Sequence, residues 1–83
     1  MASKETVHQI LEELYPKPKG NNNIIAPYGR AMRISTTTQI FDDVFFMWEK
    51  QNQQALQNNE WTFTRFGKDF ILQGKDIKQI EQL

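Results

Sequence analysis

The sequence predicts one small α+β domain, on three observations. Two stretches, one near the N-terminus and one in the middle, repeat apolar residues with a helical period, whereas a stretch near the C-terminus alternates with the period of a strand. A chain of 83 residues can build one hydrophobic core and no more. We therefore expect a single domain over residues 1–83, ordered as N-terminal helix, irregular strand or hairpin, long central helix, β-hairpin and short C-terminal helix.

The first helix is predicted from about Ser3 to Tyr15. Ser3 is a residue type that caps helix N-termini. One apolar stripe follows at helical spacing, made of Val7, Ile10, Leu11 and Leu14. Pro16 and Pro18 end the helix, because proline lacks the amide hydrogen and clashes with the preceding turn.

Residues 24–34 predict extended structure without fixing its form. The run from Ile24 to Ala26 is typical of a short strand, and the Pro27–Gly29 segment carries a turn signal. The run from Arg30 to Ile34 can then continue extended. Both a first hairpin and one irregular edge strand fit this pattern.

The longest predicted element is a central helix from about Thr36 to Leu56. Thr36 can cap it, and Gln39 stands where a capping box places a Gln or Glu. Eight apolar residues fall on about half of the helical circumference: Ile40, Phe41, Val44, Phe45, Met47, Trp48, Ala55 and Leu56. The opposite half is polar except for Phe46, which this arrangement leaves without a place in the core.

The last third of the chain predicts a hairpin and a short helix. A turn at Gly67–Lys68 would place Phe63 opposite Leu72. One face of the hairpin would then hold Trp61, Phe63, Phe70 and Leu72. Asp76 can cap a final helix ending at Leu83, which is too short to be stable without packing against the domain.

Composition argues against catalysis and against a cofactor. The chain has no cysteine, which excludes thiolate zinc sites, iron–sulfur clusters and cysteine nucleophiles. His8 is the only histidine, and it has no second ligand type at metal-binding spacing. Asp42 and Asp43 would point about 100° apart on the predicted helix, so they could not act on one substrate atom. We therefore expect no enzyme, no metal and no small-molecule cofactor.

The sequence predicts a cytoplasmic protein without a membrane anchor. No apolar run follows the N-terminal residues, and no stretch approaches the roughly 20 apolar residues that a membrane-spanning helix requires. The absence of cysteine fits an intracellular setting.

The favoured function is a protein-binding module, such as a small regulator, adaptor or inhibitor. It would act through Phe46 on the surface of the central helix, with a polar rim of Asp42, Glu49, Lys50 and Gln53. An exposed phenylalanine on a polar surface favours a protein partner or self-association. The pattern fits equally a Phe46 that is covered within the chain by another element, such as the first or the last helix.

The alternative is a nucleic-acid-binding module. The order of elements partly matches that of a winged helix. Residues 14–36 carry four cations and no acid. The residues expected to contact nucleic acid are Lys17, Lys19, Tyr28, Arg30, Arg33, Arg65 and Lys68. Against it, the acids Asp42, Asp43 and Glu49 on a recognition helix would repel phosphate.

Overall fold

The computed structural model describes residues 3–16 and 30–83. These residues form a five-stranded antiparallel sheet, in the order β4-β3-β2-β1-β5, with one helix of eleven residues. The elements are α1 (Lys4–Leu14), β1 (Met32–Thr36), β2 (Ile40–Phe46), a 3-10 helix (Trp48–Lys50), α2 (Gln53–Gln57), β3 (Glu60–Arg65), β4 (Lys68–Gln73), a second 3-10 helix (Gly74–Asp76) and β5 (Ile77–Gln82).

The predicted α+β fold class is wrong, because the described residues are mostly strand and contain no long central helix. Two predicted elements account for the difference. The stretch predicted as a long central helix forms β2, a 3-10 helix and the five-residue α2. The stretch predicted as a C-terminal helix is instead β5, which pairs with β1. Of the predicted strand or hairpin at 24–34, the part from Met32 lies in β1, whereas residues 24–29 lie outside the described residues.

Both errors come from β-bulges, which change the spacing of inward-facing residues from two to three. In β2, Val44 lies opposite Met32 and Phe41 lies opposite Ile34, so Asp42 and Asp43 together face one residue of β1. Asp43 takes a positive φ of 59°, as the extra residue of a bulge can. The strand therefore presents Phe41 and Val44 on the same face, three positions apart.

An irregularity in β5 has the same effect. Its register with β1 shifts between the Thr36↔Ile77 and Ser35↔Gln79 pairs. Ile77 and Ile80 consequently both face inward, and their spacing of three imitates a helix.

The N-terminal helix is confirmed. The Ser3 side chain accepts a hydrogen bond from the Thr6 amide, and the helix ends at Leu14. Tyr15 follows fully buried, and its hydroxyl donates to the backbone carbonyl of Arg30. Burial raises the pKa of Tyr15 to about 12. The indole Nε1 of Trp48 donates to the Tyr15 carbonyl at 2.6 Å, which ties the helix end to the chain after β2.

Phe46 lies at the centre of the core with none of its surface exposed. Its ring lies 4.8 Å from Trp48, 5.8 Å from Phe63, 6.2 Å from Tyr15 and 6.3 Å from Trp61, measured between ring centroids. Of the two alternatives for Phe46, burial within the chain is therefore correct, and the interface that depended on an exposed Phe46 is wrong. Phe46 faces inward because this stretch is a strand, in which alternation puts Val44 and Phe46 on the same face.

The β3–β4 hairpin is confirmed in its faces and corrected in its register. The turn is formed by Phe66 and Gly67, with φ values of 52° and 76°, and Phe63 pairs with Phe70 rather than with Leu72. The predicted register is thus displaced by two residues. Because side chains alternate with a period of two, this displacement leaves the four predicted residues, Trp61, Phe63, Phe70 and Leu72, on one face.

The Gln51 side chain continues the hydrogen bonding of β3 beyond the point where β2 ends. The described pairing between β2 and β3 covers only Phe45↔Thr64 and Phe46↔Phe63. Beyond it, the Gln51 amide donates to the Glu60 carbonyl at 2.8 Å and accepts from the Thr62 amide at 2.9 Å. Gln51 therefore satisfies two backbone groups of β3 that would otherwise need water.

Replacing Phe46 by alanine should destabilise the domain by about 3–5 kcal/mol, because it removes a fully buried ring that contacts four others. Phe66→Ala is the matched control, and it should change stability by no more than about 0.5 kcal/mol because Phe66 is mainly solvent-exposed. Urea unfolding followed by tryptophan fluorescence measures both. Equal stabilities of the two variants would contradict the assigned core.

Candidate functional site

A groove of about 670 Å³ opens at the turn end of the β3–β4 hairpin. We call it the hairpin groove. It is lined by Gln39, Phe41, Arg65, Phe66, Lys68, Asp69, Phe70, Ile71 and Leu72. The rings that meet α1, those of Phe46, Trp48 and Trp61, lie toward the other end of the same sheet face.

The floor of the groove is a continuation of the core. The Phe41 and Phe70 rings lie 5.3 Å apart, and Phe70 lies 6.0 Å from the buried Phe63. Phe41 and Phe70 are both half-buried, so each shares one side with the core and turns the other toward the groove. The groove therefore has a fixed aromatic base.

Two apolar side chains beside the floor are strongly exposed. Phe66 is 74% exposed at the turn, and Ile71 is 60% exposed on β4. The Arg65 guanidinium lies 4.8 Å from the Phe66 ring centroid, and its Nε donates to the Asp42 carbonyl at 2.9 Å. Phe66 is thus held by a cation that is itself fixed to β2.

The charges of the groove leave an excess of cations. Asp69 accepts from Lys50 Nζ at 2.9 Å and from Thr64 Oγ1 at 2.8 Å. These two hydrogen bonds hold the pKa of Asp69 below its usual range, and the one from Lys50 has the larger effect. Lys68 is exposed and makes no ion pair with any described residue. An incoming ligand therefore meets Arg65 and Lys68 without a free acid beside them.

The edge of β4 next to the groove offers backbone hydrogen-bonding groups. In a two-residue hairpin, the pair that closes the turn, here Arg65 and Lys68, exchanges both of its backbone hydrogen bonds. Alternation along the ladder then directs the N–H and C=O groups of Asp69, Ile71 and Gln73 away from β3. In the described sheet β4 is an edge strand, so these groups face its open side.

No protein-family model, curated protein or solved structure matches the chain. Within residues 3–16 and 30–83, no helix is long and apolar enough to cross a membrane. The same residues contain no group of three or more His, Cys, Asp and Glu side chains placed to hold a metal ion.

The residues predicted around Phe46 do not form a rim. Asp42 lies in the β2 bulge, where its carboxylate accepts from Arg33 Nε at 2.6 Å; this hydrogen bond raises the pKa of Arg33. Glu49 and Lys50 belong to the 3-10 helix, and Gln53 begins α2. Lys50 contacts the hairpin groove because it binds Asp69, which lines the groove. The four predicted rim residues do not share a helical surface.

The predicted nucleic-acid contacts are only partly brought together. Arg65 and Lys68 pair across the hairpin and line the groove. Arg33 is engaged by Asp42, and Arg30 lies before β1. The remaining three residues, Lys17, Lys19 and Tyr28, lie outside the described residues. The winged-helix interpretation is wrong, because its recognition helix is replaced by β2.

The sequence interpretation missed the exposed residues Phe66 and Ile71 as site candidates. One signal in the sequence was available for Ile71. A half-buried strand alternates apolar and polar residues, but Phe70, Ile71 and Leu72 are all apolar. Likewise, a phenylalanine directly before Gly67 stands at a turn position that ordinarily takes a polar residue.

The pKa of Asp69 should rise toward its usual range in Lys50→Ala and, to a smaller extent, in Thr64→Ala. A lowered carboxyl pKa stabilises the folded state at neutral pH, and this contribution is lost as pH falls through the folded-state pKa. Carbon-detected NMR titration of the Asp69 carboxyl measures the shift, with Gln53→Ala as a control that leaves it unchanged. An Asp69 pKa unaffected by Lys50→Ala would contradict the assigned pair.

Proposed function

We propose that the protein is a non-enzymatic protein-binding module and that its partner binds at the hairpin groove and along the adjoining edge of β4. The observation that carries this proposal is the joint exposure of Phe66 and Ile71 beside the half-buried Phe41 and Phe70. Clustered exposed apolar side chains on a small polar domain are typical of interaction surfaces.

The arrangement has the features of an energetically important contact. Aromatic residues and arginine are enriched among the residues that dominate binding energy. Phe66 is already oriented by Arg65, and the floor residues are held by the core, so little side-chain entropy is lost on binding. A surface prepared in this way supports recognition without a large rearrangement.

The charges favour a partner that combines apolar and acidic residues. Apolar side chains would pack on the exposed sides of the Phe41 and Phe70 rings, and a carboxylate would approach Lys68 and Arg65. Complementary charge of this kind speeds association and selects among partners. A role as regulator, adaptor or inhibitor fits a small domain with such a surface.

The surroundings of the only histidine favour binding over catalysis. His8 packs on Trp48 and Trp61, at centroid distances of 5.2 and 6.1 Å. Its Nε2 lies 2.9 Å from Oε1 of Glu12, four residues further along α1, so the expectation that no second ligand type lies at ligand spacing from His8 is wrong. His8 thus takes part in docking α1 and does not line the hairpin groove. The titratable groups of the groove are an ion-paired aspartate and two cations, which suit recognition better than proton transfer.

A photo-crosslinking amino acid placed at Phe66 or at Ile71 should form discrete adducts with a partner protein in the cells that produce this chain. The same amino acid at Gln79, which is exposed on β5 at the opposite edge of the sheet, is the matched control. Mass spectrometry identifies the adducts, and Lys68→Glu in the Phe66 background should reduce their yield if the partner is acidic.

Adducts from neither groove position, or the same adducts from Gln79, would overturn the proposed surface. Adducts from Phe66 and Ile71 that are insensitive to Lys68→Glu would retain the surface and remove the acidic partner.

A nucleic acid is the second candidate, favoured by the exposed Phe66 ring between two cations at the turn. Bases stack on aromatic rings, and cations bind phosphates. We expect no measurable binding to single-stranded or double-stranded DNA or RNA at about 50 mM salt, because the chain has no net charge. Fluorescence polarisation tests this. Binding that weakens steeply with salt and is lost in Lys68→Glu would assign the groove to nucleic acid instead.

A further inference from the structure

The two edge strands of the described sheet differ in their protection against pairing. β5 carries a register irregularity and the exposed charges Lys78 and Glu81, which are devices that discourage strand addition. β4 runs in unbroken register with β3 through six consecutive pairs. Its middle residues Phe70, Ile71 and Leu72 are all apolar, so this edge is open and uncharged at its centre.

We propose that the partner at this edge is a second copy of the chain, joined antiparallel through β4 about a twofold axis at Ile71. The inference deepens the proposed function, on which it rests, by naming an occupant for the β4 edge of the proposed surface. Two five-stranded sheets would then form one continuous ten-stranded sheet across the axis.

The hydrogen-bonding pattern of β4 allows this register. In a symmetric antiparallel pair, the two strands meet along their open edges. The residues at hydrogen-bonded positions must therefore direct their backbone N–H and C=O groups toward that edge in both copies. Asp69, Ile71 and Gln73 do so. Ile71 would lie opposite Ile71 of the second copy, and Asp69 opposite its Gln73, with each such pair exchanging two hydrogen bonds.

The side chains are self-complementary in this register. Phe70 would lie opposite Leu72 of the second copy on the inner face, and the two exposed Ile71 side chains would cover each other on the outer face. No like charges would oppose each other, because Asp69 faces Gln73 and is already bound to Lys50.

Neighbouring registers fit less well. Centring the axis on Phe70 would place Asp69 against Ile71 and Lys68 against Leu72, which buries charge against apolar side chains. Centring it on Leu72 would extend the pairing past Gln73, where β4 ends and a 3-10 helix begins. Ile71 is therefore the position that the sequence of β4 favours for the axis.

The experiment compares two isoleucines of matched exposure. Ile71 on β4 is 60% exposed and Ile40 on β2 is 62% exposed, but only Ile71 lies on the proposed axis. Sedimentation equilibrium of the purified chain should show a concentration-dependent dimer, with micromolar rather than nanomolar affinity because a single strand pair is a small interface. Ile71→Lys should raise the dissociation constant about tenfold or more, and Ile40→Lys should leave it unchanged.

Cysteine variants provide a second readout that does not depend on affinity. The natural chain has no cysteine, so Ile71→Cys and Ile40→Cys each introduce one thiol. Paired residues in this position lie about 5.5 Å apart between Cα atoms, within the range that a disulfide spans. Under mild oxidation Ile71→Cys should form a disulfide dimer, and Ile40→Cys should remain largely monomeric.

A wild-type chain that stays monomeric up to about 1 mM, a dimer that persists in Ile71→Lys, or equal oxidation of the two cysteine variants would overturn self-pairing. A monomer whose groove positions still crosslink to a different protein would overturn only self-pairing and support the proposed function. A monomer without groove adducts would overturn both.

Discussion

The bulge at Asp42 and Asp43 is the constraint on which the rest of the structure depends, because it decides which side chains of β2 face inward. With the extra residue, Phe41 and Phe46 both lie on the inner face, one at the groove and one at the centre of the core. Without it, Phe41 would turn to the outer face and the groove would lose half of its floor. Two arginines hold the bulge, Arg33 at the Asp42 carboxylate and Arg65 at its carbonyl.

Arg65 connects this constraint to the candidate surface. The guanidinium that binds the bulge also lies against Phe66, so the position of the most exposed ring depends on the backbone of β2. The floor is connected separately, since ring contacts run from Phe46 through Phe63 and Phe70 to Phe41. The groove is therefore supported by polar contacts at its rim and by core packing beneath it.

These connections explain how much could be predicted from the sequence. α1 followed from a cap and a stripe, which are local signals, and the hairpin faces followed from alternation that an even register displacement preserves. Each bulge, in contrast, places two inward residues three positions apart, which a helical projection cannot distinguish from a helix. The surface assigned to Phe46 was wrong for that reason, and Phe66 was missed because its neighbour Arg65 is fixed only by long-range contacts.

The apolar residues of the groove divide into two groups that differ in what they contribute to folding. Phe41 and Phe70 contribute to the core as well as to the groove, so their apolar character has a use within one chain. Phe66 and Ile71 are outside that core, and a polar residue at either position would cost little folding free energy. β5 shows that this fold can end in a charged and irregular edge. Because Phe70 and Leu72 pack on the core, only the apolar character of Phe66 and Ile71 is left without a use in the isolated chain, and the proposed partner would supply one.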